Sequence, residues 1–292
     1  MQEESLWHYA LAQQIASHYH ANPNVAAVLV EGSVAWGYAD RSSDLDLAVF
    51  WARPPTAQER RDIVLRALGR GRHPSSPSRR EAAGREPRTV REGVAIDVRH
   101  TTVAATEGLL AAVLERTDPR LSRQQRLAAL RSALPLVNPT LITRWQQQAA
   151  AYPDALAASM VRKYLRFRPA WEQEQLAERH EVLVLYDSFC TAQKQLLLVL
   201  LGLNRLYYPG WRWMDRLLDR LQVMPPNLST RLKQLFAIAS IDPLASVYQL
   251  HDLIEETFVL VETHLGEVDT HTARKRFRGQ RRAGEHAPDG LG

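Results

Sequence analysis

A stretch dense in glycine, serine and aspartate joins two apolar, strand-like runs, and it restricts the possible folds more than any other part of the chain. It covers residues 31–46 and reads EGSVAWGYADRSSDLD. Residues 25–30 before it are apolar and rich in valine, so they predict a buried strand. Residues 44–50 after it alternate in character, and the positions expected to face a core are Leu45, Leu47 and Val49. The sequence therefore predicts two strands joined by a compact turn.

The glycine and serine at the start of this turn predict a site for an anion. Gly32 and Ser33 interrupt the first strand, and residues 34–38 are expected to form a short helical turn. Backbone N–H groups at the start of such a turn point toward the loop, and glycine lets a ligand approach the backbone closely. Phosphate is the ligand that this arrangement favours.

Two aspartates, Asp44 and Asp46, stand at the start of the second strand. Residues i and i+2 of a strand face the same side, so these carboxylates are expected about 7 Å apart along the backbone. Two like charges on one face repel each other unless a cation lies between them. Mg²⁺ suits such a site because it combines carboxylate oxygens with substrate phosphates.

A third aspartate, Asp97, lies between Ile96 and Val98 in another strand-like run. An aspartate among apolar residues costs free energy unless it is paired or binds a cation. We therefore expect its strand to pair with the strand of Asp46, which would bring three carboxylates together. Two metal ions held by three carboxylates can bind a triphosphate and activate an attacking hydroxyl.

The order of these residues resembles that of a known enzyme superfamily. The pattern Gly32-Ser33-x-Ala35-x-Gly37, then Ser43-Asp44-x-Asp46 and a later strand aspartate, is similar to the nucleotidyltransferases related to DNA polymerase β. Within them it most resembles the bacterial aminoglycoside and lincosamide nucleotidyltransferases. The motifs cover about the first third of the chain, while residues 151–156 and 203–210 resemble the helical domain that follows in a bacterial subgroup.

The resemblance implies an α+β fold and a transfer reaction. An acceptor hydroxyl, such as that of an aminoglycoside-like antibiotic, would take a nucleoside monophosphate from a nucleoside triphosphate. The implied nucleotide is ATP, so AMP would be transferred and pyrophosphate released, with two Mg²⁺ ions as cofactors. The partners implied are a nucleoside triphosphate and a small hydroxyl-bearing acceptor, and the oligomeric state is left open.

The resemblance also implies roles for individual residues. Asp44, Asp46 and Asp97 would be the catalytic carboxylates and the metal ligands, and the nucleotide would be held by Gly32, Ser33, Ser43 and Lys194. Several relatives carry arginine where this chain has Trp36, so Arg41 and Lys194 are the cations available for that role. The general base stays open between Asp97 and a helical acid, Glu181 or Asp187.

Two alternatives compete with this hypothesis. Minimal relatives in toxin–antitoxin pairs adenylylate a tyrosine of a partner protein, but they are single short domains. A nucleic-acid-binding protein is the other, because arginines cluster in residues 70–91 and in the tail, residues 270–292, and clustered arginines release counterions from phosphates. Aromatic residues are sparse in both stretches, which disfavours a single-strand binder. The loop at 70–91 could instead cover the nucleotide.

Composition and length set the remaining limits. A chain of 292 residues is long enough for two domains that each bury a core, and its 45% hydrophobic content fits a globular protein. The single cysteine, Cys190, excludes an intrachain disulfide and fits a reducing compartment. The first residues are acidic, and no apolar run is long enough to span a membrane. We expect a cytoplasmic protein without membrane contact.

Helical periodicity divides the chain into parts. We predict a mixed-sheet catalytic domain over residues 1–120, an all-α helical bundle that binds substrate over 121–268, and a basic disordered tail over 269–292. No strand is expected after residue 122. The aromatic cluster around residues 207–213 is expected to pack within the bundle, with one wall of an acceptor pocket as the alternative.

Overall fold

The computed structural model describes residues 3–69, 89–91 and 93–279. The chain forms two compact units, Met1–Tyr152 and Pro153–Gly292. The first contains a sheet with helices and the second is helical in its described residues, which confirms the predicted α+β class. The division follows Tyr152, whereas the sequence placed it after residue 120.

The first unit contains a five-stranded sheet in its described residues. Its strands are β1 Val25–Glu31, β2 Leu45–Trp51, β3 Thr89–Arg91, β4 Val94–Thr102 and β5 Leu134–Val137. Its helices are α1 Glu3–His20, α2 Gly32–Ala35, α3 Ala57–Leu68, α4 Val103–Leu110, α5 Leu121–Ser132 and α6 Pro139–Ala150, with a π-helical turn over Ala111–Glu115.

The strand order is β3-β4-β2-β1-β5. β2 and β4 are parallel, and the other neighbouring pairs are antiparallel. β5 pairs with β1, so the expectation of no strand after residue 122 was wrong. The short strand contains Pro135, which cannot donate to a ladder and therefore belongs at a sheet edge. This pairing also explains why the segment after residue 120 belongs to the first unit.

One face of the sheet forms the core of this unit. Leu45, Leu47 and Val49 are buried there, as predicted, against apolar residues of α1 and α3. Thr56 is the N-cap of α3 and forms a complete capping box with Glu59. The core fixes the β2 register because a slip of one residue would turn these side chains to the opposite face.

The second unit is described by helices and loops. The helices are α7 Asp154–Tyr164, α8 Ala170–Glu178, α9 Val182–Leu203, α10 Met214–Leu218, α11 Leu228–Ala239, α12 Pro243–His264 and α13 His271–Phe277, with a 3₁₀ turn over Trp211–Trp213. Tyr207 and Tyr208 are buried, as expected of packing residues. Within the described ranges, no helix combines the length and apolar character required to cross a bilayer.

The predicted disordered tail begins as an ordered helix. Phe277 of α13 is buried and packs edge-on to Phe167, while Arg274 and Arg278 form ion pairs with Glu255. Apolar burial and charge pairing together hold this segment on the bundle, so disorder was the wrong expectation for residues 271–277. Residues 280–292 lie outside the described residues, as do residues 70–88 of the arginine-rich loop, whose proposed roles stay predictions.

Candidate functional site

Three acidic residues occupy one row across the centre of the sheet. Glu31 at the end of β1 pairs directly with Asp46 of β2, and Asp46 pairs directly with Asp97 of β4. Directly paired residues point to the same face, and neighbouring strands lie about 4.8 Å apart. This face is opposite to the core, because Leu45 and Leu47 flank Asp46 and point inward. The structure thus brings Asp46 and Asp97 side by side.

Asp44 does not share this row. It lies one residue before β2 and is half-buried, whereas the predicted strand began at Asp44 itself. Throughout the described part of the chain, no three His, Cys, Asp or Glu side chains form a group that could hold a metal ion as they stand. The predicted three-carboxylate metal site is therefore not preformed among these residues, and the ligand role of Asp44 stays a prediction.

Gly32 is the point at which the turn meets the acidic row. Its φ angle is +70°, a left-handed conformation that favours glycine. A Cβ atom added to Gly32 would collide with Oδ2 of Asp46. The backbone of the turn therefore lies directly against this carboxylate, which only glycine permits. Asp46 therefore lies beside backbone atoms of the turn. A ligand at this position could contact the backbone and the carboxylate together.

The loop before Asp44 is held by its own side chains. Asp40 accepts hydrogen bonds from the hydroxyls of Ser42 and Ser43, and these bonds lower the pKa of the Asp40 carboxyl. The Ser43 hydroxyl also accepts from the Asp40 N–H at 2.9 Å, so in this state Ser43 shapes the loop. The contact between Ser43 and a nucleotide stays a prediction.

Helix α1 anchors the same loop from one side. The Ser5 hydroxyl accepts a hydrogen bond from the Ala39 N–H at 3.0 Å, and His8 Nε2 lies 3.3 Å from the Ser43 carbonyl oxygen. Ser5 and His8 are both buried within α1. These contacts with α1 therefore fix the segment that leads into β2, just before Asp44 and Asp46 in the chain.

Sequence reasoning missed a buried ion pair beside the aspartates. Arg99 of β4 binds Glu31 through two hydrogen bonds, with Nη2 to Oε2 at 2.9 Å and Nε to Oε1 at 3.4 Å. The two side chains are only 14% and 11% exposed. The available signal was a charged residue in each of two apolar strands, since charges at such positions are kept only when paired.

The other residues predicted to contact phosphate are more exposed. Ser33 is half-buried in α2, and its carbonyl accepts from the Tyr38 N–H at 2.9 Å. Arg41 is almost fully exposed, 3.9 Å from Glu4. Lys194 of α9 is exposed, with Nζ 6.0 Å from the ring centroid of Trp211. Phosphate contacts by Ser33 and Lys194 stay predictions.

His100 lies on the opposite, core-facing side of the sheet. Its Nδ1 accepts a hydrogen bond from the Trp51 indole N–H at 3.0 Å, and its ring packs near Tyr19. Burial, reinforced by the charges of Arg60 and Arg99, lowers the pKa of His100 to about 3. His100 is therefore neutral near pH 7 and has a structural role.

This depressed pKa predicts a loss of stability as the pH falls. The unfolded chain protonates His100 below about pH 6.5, whereas the folded chain resists protonation until about pH 3. The loss therefore begins below pH 6.5 and should reach about 1.4 kcal/mol at pH 5.5. We expect the difference in unfolding free energy between pH 7.5 and 5.5 to be smaller by that amount in His100→Gln. Equal pH dependence in both proteins would contradict the assignment.

A comparison with protein families finds a match over part of the chain. A family model described as a domain of unknown function, DUF4037, matches residues 120–214. This segment begins before α5 and ends at the start of α10, so it includes the edge strand β5 and continues into the helical unit. The curated proteins contain no match.

A search of solved structures finds a similar protein from Exiguobacterium sibiricum 255-15, described as nucleotidyltransferase-like. The two chains are 11% identical, and the alignment covers 89% of this chain and 78% of the other. The TM-score is 0.38.

Proposed function

We propose that the chain is an Mg²⁺-dependent nucleotidyltransferase. It would transfer a nucleoside monophosphate, AMP in the first instance, from a nucleoside triphosphate to the hydroxyl of a small acceptor such as an aminoglycoside-like compound. The acceptor oxygen would form the new bond to the α-phosphorus as the bond to pyrophosphate breaks. The observation that carries the proposal is the direct pairing of Asp46 with Asp97 beside the backbone of Gly32.

The donor set supports a hard divalent cation. Asp46 and Asp97 present carboxylates from adjacent strands on one face, and Mg²⁺ takes one or two carboxylates together with substrate phosphates. When bound, Mg²⁺ neutralises negative charge on the phosphates and polarises the reacting phosphorus.

The turn supports binding of the triphosphate next to this pair. The Gly32 backbone lies against the Asp46 carboxylate, so phosphates bound at the turn would lie next to a cation held by Asp46. Asp46 is thus common to both parts of the proposed site. Its carboxylate orients the cation, and the adjacent turn positions the phosphates that the cation neutralises.

The proposal predicts nucleotide-dependent pyrophosphate release that requires Mg²⁺. Purified full-length protein would be incubated separately with labelled ATP, GTP, CTP and UTP, each with aminoglycosides, lincosamides or a cell extract. We expect release above background with at least one nucleotide and one acceptor, and loss of that release in excess EDTA.

The same experiment separates the acceptor classes. A labelled small molecule would support the proposal, whereas label appearing only on a protein would show protein adenylylation instead. Absence of pyrophosphate release with all four nucleotides, and of nucleotide binding by calorimetry, would contradict the proposed activity.

A further inference from the structure

A groove between α4 and α5 is lined by residues other than those proposed to hold the nucleotide. Each helix contributes three residues to it, and these are Ala105, Gly108, Leu109, Ser122, Arg123 and Arg126. The volume of the groove is about 360 Å³. Sites for small molecules commonly span about 300–1,000 Å³, so the groove has room for one. We propose that it is a second ligand site, which binds the phosphate group of a small phosphate monoester.

One wall of this groove is positively charged. Arg123 and Arg126 of α5 line it, and none of the described residues along the groove is acidic. Two acids that are close to the lining in sequence are paired. Glu107 binds Arg144 at 2.7 Å, and Asp118 binds Arg123 at 2.6 Å. The groove therefore favours an anionic ligand over a neutral or cationic one.

Arg123 is held in position by Asp118. Its Nη1 donates to Oδ2 of Asp118 at 2.6 Å, and Arg120 donates to the same carboxylate. Asp118 is thus shared by two guanidinium groups, and its single negative charge does not neutralise both. A guanidinium has five N–H donors in a planar fork, so Arg123 can bind Asp118 and a ligand together. Because its side chain is already ordered, ligand binding costs less conformational entropy.

The start of α5 adds uncharged donors to the same wall. Ser122 belongs to the first turn, and its hydroxyl can donate a hydrogen bond to a ligand in the groove. The N-cap residue is Arg120, whose side chain has no acceptor, so it cannot cap the first N–H groups. The partial positive charge of these N–H groups adds to the charge of the arginines.

The arrangement of the donors favours phosphate over carboxylate. Ser122, Arg123 and Arg126 are spaced three and four residues apart, so Arg126 is a neighbour of both others on the helix surface. A phosphate monoester presents three terminal oxygens, and each can meet one of these donors. A carboxylate has two oxygens in one plane and would leave one donor unused.

The α4 wall leaves room for the rest of the ligand. Ala105 and Leu109 are apolar there, and Gly108 has no side chain. A Cβ atom added to Gly108 would meet no atom within 4 Å. The organic part of the ester can therefore pack on this wall while the phosphate faces α5.

Binding of phenyl phosphate to the full-length protein tests this proposal. Calorimetric titration in EDTA, without nucleotide, prevents binding through a divalent cation and makes the result independent of the transfer reaction. We expect the wild type to bind, and Arg126→Met to weaken binding at least about tenfold because a charged donor is lost. Arg131→Met is the matched control, since it removes an exposed arginine from the same helix outside the groove. Its affinity should stay within about twofold of the wild type, because salt screens distant exposed charges.

A substitution on the opposite wall tests the proposal without removing an arginine. Gly108→Glu introduces a carboxylate into the groove and should weaken binding at least about tenfold, because it repels the phosphate and competes for the arginines. Gly108→Gln has nearly the same size without the charge and should bind more tightly than Gly108→Glu. Glycine is a poor helix former, so neither substitution should lower the melting temperature.

Several outcomes would overturn the proposal. Absence of binding to the wild type would do so, as would wild-type affinity in either Arg126→Met or Gly108→Glu. An equal loss in Arg131→Met would show a general effect of net charge. Tighter binding of benzoate than of phenyl phosphate would show a carboxylate site instead. Displacement of phenyl phosphate by a short single-stranded RNA at a lower concentration than by inorganic phosphate would show a nucleic-acid surface.

Discussion

We expect Asp46→Asn to reduce nucleotide-dependent pyrophosphate release at least about 100-fold. Asp46 pairs with Asp97 and lies against Gly32, so it would serve both the cation and the turn that holds the phosphates. Loss of a group that stabilises charge in a reacting complex commonly costs a factor of about 10²–10³ in rate. Asparagine has nearly the same shape, so circular dichroism and the melting temperature should stay close to those of the wild type.

A second variant gives this prediction a sharper form. Asp97→Asn should produce a loss of similar size, and the double variant should be little worse than either single variant, because residues that act as one unit have non-additive effects. Glu107→Gln serves as the control for removing a carboxylate charge at an exposed position of the same unit. Undiminished activity in Asp46→Asn would exclude the proposed metal role.

We also expect Gly32→Ala to abolish Mn²⁺-dependent nucleotide binding and to destabilise the first unit by about 2–3 kcal/mol. Two costs combine at this position: a positive φ, which alanine tolerates poorly, and overlap of the new Cβ with the Asp46 carboxylate. Either Asp46 or the turn must move to relieve the overlap. Both movements would separate the cation ligand from the phosphate-binding backbone.

Gly69→Ala separates these two costs. Gly69 has a φ of +74°, close to that of Gly32, but a Cβ added there meets no atom within 4 Å. Its ψ is −173°, so Gly69→Ala should show the cost of backbone strain, about 1–3 kcal/mol, and retain nucleotide binding. Calorimetric titration with ATP and Mn²⁺, together with denaturant unfolding, would compare the two variants. Equal behaviour of Gly32→Ala and Gly69→Ala would show that contact with Asp46 has no consequence.

Local signals allowed much of the fold to be predicted. The start of α12 has such a signal, because Asp242 is its N-cap and Pro243 is its first residue. The break between α8 and α9, where His180 has a φ of +55°, has no such signal. The sequence carries no glycine or proline at this break, so no local pattern marked it.

The site was less accessible to sequence reasoning because its contacts are nonlocal. The apolar runs around Asp46 and Asp97 predicted their strands, but which residues stand opposite each other depends on a crossover that no local pattern specifies. No local pattern indicated that Glu31 and Arg99 would form an ion pair. Their pairing becomes visible only when β1 and β4 are placed on either side of β2. The partner of each charged residue thus depends on the register in which β1, β2 and β4 pair.

The parallel pairing of β2 with β4 has a consequence for the order in which this chain assembles. Gly32 and Asp46 meet through adjacent antiparallel strands, so their contact closes a small loop at low entropic cost. Asp46 and Asp97 meet only after a much longer connection has closed, and contacts of that type are slow to form. A nascent chain would therefore complete the bend around Gly32 first. The pairing of Asp46 with Asp97 would be the last contact of the site to form.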